Sequence, residues 1–325
     1  MAAASSFLHF TSTSIANSSS SMFSSSTSRT RVYISIIKAS STSNINMVQI
    51  KTSWAGDINS EVDAHINRAL ADGLPTNISE PMSYLLRKTP KSMAPALCIA
   101  ACEAVGGDKE QAIPAASALH LMHVATFSHE HLQLTDQPRR RAMPHHGLGP
   151  KRELIAADNM VPIGYQLLAA AGHDTKPEYL VRVMVEIGKS MGAQGMVNGV
   201  YLKLKCMGLI SDEVAMEEDA VYEAIENLGG ALYSCGGACG AILGGGSDEE
   251  VEKLRRFGVC VGIIHNIMIH DILGTDKIFL KLADSLRFLA LQELQGMKDH
   301  NVERLSSILD GFSAFLTTQE YQFPN

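Results

Sequence analysis

Apolar residues recur along this chain at every third or fourth position and almost nowhere in strict alternation, which confines the fold to helices packed on helices. Trp54, Ile58, Val62, Ile66 and Leu70 fall at intervals of four, on one face of a helix starting near Asp57. Ser79 to Lys88 carries a second helical pattern, broken by Pro90. Pro95 opens a third that runs to about Val105, stops at Gly106 and Gly107, and is apolar nearly all round, as only a buried helix is. Pro114 is read as the start of another apolar helix reaching Ser128. Further helices are predicted over Glu153 to Ala171, Pro177 to Met191 and Asp219 to Leu243. Ser247 and Glu250 form a capping box ahead of a stripe made by Val251, Leu254, Gly258 and Val261. The expectation is an all-α orthogonal bundle of about ten helices.

Charge and composition narrow the partners. The net charge is −7 and no Lys/Arg block is present, so the chain has no footprint for nucleic acid or an anionic membrane face. Its longest apolar stretches, such as Ala94 to Ala101, are far short of the ~20 residues that span a bilayer. The first 46 residues are of different material: crowded with Ser and Thr, basic at Arg29, Arg31 and Lys38, and without any acidic residue before Asp57. That bias is expected of an organelle transit peptide, with the plastid favoured because Ser so outnumbers Arg; Val32 to Ile37 is read as a short strand near its end. Residues 1–50 are therefore assigned to the transit peptide and residues 51–325 to a single helical domain.

No residue cluster provides acid catalysis or a metal cage by spacing alone. The runs Glu217 to Asp219 and Asp248 to Glu250 sit where helices begin, which the helix dipole favours. Of the twelve histidines, six lie between His120 and His146. Without the spacing of a zinc motif, His120 and His123 are read as polar groups lining an interior cleft, and His129, His131, His145 and His146 as loop residues. Cys98 and Cys102 lie four apart on the apolar third helix, and Cys235 and Cys239 repeat that spacing among Gly236, Gly237 and Gly240. Two such pairs among tiny neighbours mark faces where another helix comes close, inside the fold or across a subunit interface; small buried hydrophobes and a four-thiolate zinc site are the alternatives.

Three segments in order, PALCIAACEAVGGD, IPAASALHLMHVATFSHEHLQLTD and GAILGGGSDEEVEKLRRFGVCVG, resemble the plastid trans-prenyl diphosphate synthases of the geranylgeranyl diphosphate synthase family. The resemblance spans about Trp54 to Phe315 and implies the trans-isoprenyl diphosphate synthase (terpenoid synthase) fold. Active members hold Mg2+-diphosphate between two Asp-rich motifs; here the first motif's region begins Glu130, His131 and keeps Asp136, while the second keeps at most Asp271. Where the family has Gly-Gly-Lys-Arg-x-Arg-Pro, only Lys91 and Pro95 match; His123 falls on a substrate-site histidine, Arg140 and Arg141 on an arginine pair, and Leu228 and Gly229 on its Lys-Thr pair. The resemblance thus implies no catalytic residue, no metal ion and no other cofactor in this chain, with Lys91, His123, Arg140 and Arg141 as vestiges of diphosphate binding.

This pattern resembles the small-subunit class of the family. It implies a chain inactive alone that associates in the plastid stroma with a geranylgeranyl diphosphate synthase large subunit, which carries the Mg2+, through Cys98, Cys102, Cys235 and Cys239. The implied output is geranyl diphosphate, the C10 product of isopentenyl and dimethylallyl diphosphate that feeds monoterpenes. A class that enhances C20 output and a divergent stand-alone enzyme using Glu130, His131, Asp136 and Asp271 are the alternatives.

Overall fold

The computed structural model describes residues 53–72, 74–131, 148–171, 175–206, 223–269, 277–297 and 302–320. The proposed transit peptide, including Val32 to Ile37, lies outside them, as do Asp136, Arg140, Arg141, His145, His146, Glu217 to Asp219 and Asp271. Among the described residues every regular element is helical. In chain order these are α1 (Ser53–Ala71), α2 (Thr76–Lys88), α3 (Ala94–Ala104), α4 (Lys109–His131), α5 (Pro150–Ala170), α6 (Pro177–Met191) and α7 (Met196–Cys206). A π-helical turn (Glu226–Gly230) then runs into α8 (Ala231–Leu243), followed by α9 (Asp248–Ile269), α10 (Lys277–Glu293) and α11 (Glu303–Glu320).

The predicted stripe on α1 is the buried one, since Ile58, Val62, Ile66 and Leu70 all enter the core. The all-round apolar helices are central: every residue of α8 is buried, and ten of the eleven in α3. The end of α3 follows from Gly106, whose φ of 94° reverses the chain. The Gly107 N–H then donates to the Cys102 carbonyl and the Gly106 N–H to that of Glu103, which satisfies two orphan carbonyls in a Schellman arrangement. At the start of α9 the Ser247 N–H donates to Glu250 Oε2 at 2.7 Å and the Glu250 N–H to Ser247 Oγ at 3.3 Å, the reciprocal capping box expected.

Helix starts are where expectation and structure part. Pro114 does not open α4, which begins at Lys109; the hydrogen bond that Pro114 cannot make would have gone to the Glu110 carbonyl, on an exposed residue that water can satisfy. Helix α1 begins at Ser53 rather than Asp57, and α5 at Pro150, a proline pre-set for a first turn. His129 and His131 belong to the last turn of α4, not to the loop, and His129 Nε2 lies 2.9 Å from the Asp158 carboxylate on α5.

Helix α8 sits between α3 and α9 at backbone contact. A Cβ on Gly240 would collide with the Cys98 carbonyl oxygen of α3, and one on Gly237 with the Leu254 carbonyl oxygen of α9. Overpacking at such a contact costs about 1–3 kcal/mol, or more where backbone must move. Gly240→Ala is accordingly expected to lower the unfolding free energy by at least 2 kcal/mol or so in urea titrations, whereas an alanine at exposed Gly56, with nothing within 4 Å, is expected to cost nothing.

Candidate functional site

The bundle opens one cleft whose walls come from six places in the chain. The α2–α3 loop supplies Pro90, Lys91 and Ser92; α4 supplies His123, Thr126, Phe127 and Glu130; α7 supplies Met196. The π turn supplies Leu228 and Gly229, α8 Leu232 and Tyr233, and α9 Gly262, His265 and Asn266. The extra residue of a π turn widens the helix, and here it presses Gly229 against the Gly262–Asn266 stretch of α9. The space left open to water is about 110 Å³.

The floor is a buried polar pair. Tyr233 Oη accepts the Met93 N–H at 3.2 Å and lies 2.9 Å from His265 Nδ1. Burial raises the Tyr233 hydroxyl well above the ordinary phenol range, so it keeps its proton beside His265 Nδ1. At the mouth, His123 Nε2 donates to the Pro90 carbonyl at 2.8 Å and ties α4 to the α2–α3 loop.

Two described cations in the cleft region, Lys91 and Lys203, are met by carboxylates of this chain. The Lys91 ammonium lies 2.6 and 2.8 Å from the two Asp63 oxygens and 3.2 Å from His120 Nε2. Lys203 of α7, whose side chain is 6% exposed, forms an ion pair with Glu130 in the last turn of α4. The structure thus brings together three of the residues singled out in the sequence, Lys91, His123 and Glu130; the side chain of His131 lies outside the described set. Lys203, Tyr233 and His265 were missed as a group, and the one available signal was a polar residue on an otherwise apolar helix face.

The four cysteines lie away from this cleft. All are fully buried, Cys235 Sγ is 3.6 Å from Cys239 Sγ, and Cys102 Sγ donates to the Asp108 carbonyl at 3.4 Å. Burial, then the nearby charges of Glu103 and Asp108, pushes the Cys102 thiol up to about 12, and burial likewise raises Cys98. Fully buried among apolar neighbours, the four side chains pack as small hydrophobes. Among the described residues no three His, Cys, Asp or Glu side chains converge on a point that would hold a metal ion. Mg2+ is ordinarily held by one or two carboxylates; on the described walls Glu130 is the only carboxylate and it faces an ammonium, while Leu228 and Gly229 offer no side-chain oxygen.

His120 has a consequence for stability. Burial, then the charges of Lys91 and His123, holds its imidazole well below the ordinary value of 6.5, so the folded state keeps it neutral while the unfolded chain takes up a proton. Its contribution is therefore complete above the unfolded value and is lost as pH falls toward the folded one. The urea midpoint is expected to fall between about pH 7 and about pH 5, and His120→Gln to remove part of that fall.

Comparison with known proteins agrees with this architecture. The polyprenyl synthetase family model matches residues 75–287. The chloroplastic heterodimeric geranylgeranyl pyrophosphate synthase small subunit 2 of Cannabis sativa is 38% identical over 263 residues, which span 80% of this chain and 91% of that protein. The crystal structure of the geranyl diphosphate synthase small subunit from Antirrhinum majus matches with a TM-score of 0.68 at 34% identity, over 79% of this chain and 98% of that one. A deletion mutant of the heterotetrameric geranyl pyrophosphate synthase of mint, in complex with ligands, matches with a TM-score of 0.66 at 32% identity, over 80% and 99% of the two chains. On the strength of these matches over most of the helical body, the chain belongs to the polyprenyl synthetase family.

Proposed function

We propose that this chain is a non-catalytic regulatory small subunit, which binds a plastid geranylgeranyl diphosphate synthase large subunit and shifts its product toward geranyl diphosphate. The observation that carries the reading is the Lys203–Glu130 ion pair: the family's body is kept, but the carboxylate remaining in the described cleft is met by an ammonium of the same chain. Mg2+ and the ionisation of the allylic diphosphate then belong to the large subunit. Residues 1–50 direct the chain to the plastid stroma, in keeping with relatives whose names are chloroplastic.

The contact surface is assigned to α5, α6 and α7. Their outward faces carry five exposed large apolar side chains, Ile155, Val181, Val185, Val197 and Tyr201. Val181 and Val185 on α6, and Val197 and Tyr201 on α7, are each one turn apart and so share a face. The buried cysteines act from inside, by letting α3 and α8 pack closely enough to hold their shape.

A second reading, enhancement of the C20 product, is favoured by the Cannabis sativa relatives, which are named for geranylgeranyl pyrophosphate. Co-expression with a plastid large subunit and product analysis separates the two. A raised C10 to C20 ratio is expected; a raised C20 yield at unchanged ratio supports the second reading, and no complex sinks both. Val181→Asp with Val185→Asp is expected to lower co-purification at least tenfold without changing the thermal midpoint of the isolated chain, since both positions are exposed.

A further inference from the structure

Lys203 is the most costly charge in the cleft region. Helix α7 turns Met196 and Leu202 into the core, and the Lys203 side chain follows them in with only 6% exposure. Taking an ammonium that far out of water is unfavourable unless a carboxylate meets it. Glu130 does so, from the last turn of a different helix, and its own side chain is 23% exposed. The pair therefore bridges α7 to α4 at the wall of the cleft, between two rigid elements far apart in sequence.

Glu130 is the one residue of the first Asp-rich segment whose side chain is described. Among the described lining residues a divalent ion arriving there would find a single carboxylate, already paired with an ammonium. An ammonium, by contrast, is satisfied by very few acceptors. We infer that Lys203 is the resident counter-ion of this cleft: its tethered ammonium neutralises the Glu130 carboxylate, withholds that carboxylate from Mg2+ and fastens α7 to α4 without a metal ion. The inference rests on the cleft being the family's cleft in disarmed form, and it adds the residue that neutralises its described carboxylate.

The test uses the isolated full chain, with Mn2+ as a paramagnetic probe of Mg2+ sites and the thermal midpoint as a second readout. Wild type is expected to leave the Mn2+ resonance at its free amplitude, with no saturable component that Glu130→Gln removes, and millimolar Mg2+ is expected not to move its midpoint. Lys203→Met and Glu130→Gln are each expected to lower the midpoint, because each strands the opposite charge, whereas the double variant recovers most of the Lys203→Met loss. Saturable Mn2+ binding by wild type that Glu130→Gln abolishes overturns the inference, as do single losses that simply add in the double variant. Should Lys203→Met not fold, the Mn2+ comparison of wild type with Glu130→Gln decides alone. These readouts concern metal and stability in one chain, so they can fail while the product shift of the complex stands, and the reverse.

Discussion

The backbone contact of α8 with α3 on one side and α9 on the other sets the geometry of everything else. Gly240 lies on the Cys98 carbonyl and Gly237 on the Leu254 carbonyl, so at these two points the helices meet backbone to backbone. That contact fixes the lateral positions of Leu232 and Tyr233 on α8, of His265 and Asn266 on α9, and of the Lys91 and Ser92 loop that feeds α3. Buried thiols at Cys98, Cys102, Cys235 and Cys239 suit it because cysteine is a small hydrophobe whose burial needs no partner. The paired cysteines are thus part of the frame that makes the cleft.

On this frame the charges have been settled within the chain. A partly buried ion pair contributes little net stability over an apolar pair of the same shape, but removing one partner alone costs about 3–5 kcal/mol. Lys203 and Glu130 are locked together by that asymmetry, and Lys91 with Asp63 repeats the pattern at a more exposed position, where solvent weakens it. The described cleft is neutral before any ligand arrives. The Tyr233–His265 pair closes its floor with hydrogen bonds rather than charges, which leaves a small, mostly apolar hollow.

What could be read ahead of the structure follows from how local each signal is. The stripe of α1, the Ser247–Glu250 box and the Gly106 stop are short-range features, and each appears as its chemistry dictates. Pro114 misled because proline is favoured at a first turn but also tolerated one turn later, where the carbonyl it neglects still faces water. Cysteine spacing told that two faces were small; it did not tell that they faced each other, since α3 and α8 are more than a hundred residues apart. Lys203 was the least legible. An isolated lysine in a helix is ordinarily solvated, and only the fold shows that its side chain turns inward to a glutamate on α4.

The central claim is that a prenyl synthase body has kept its shape while its own cleft has lost the means of ionising an allylic diphosphate. The most direct measurement is single-turnover chemistry by the isolated chain, with enzyme in excess over radiolabelled isopentenyl diphosphate, dimethylallyl diphosphate and Mg2+ present, and acid-labile prenyl products extracted over time. The account predicts no product above the protein-free control at any Mg2+ concentration. Mg2+-dependent formation of geranyl diphosphate that disappears in the Glu130→Gln variant would contradict it.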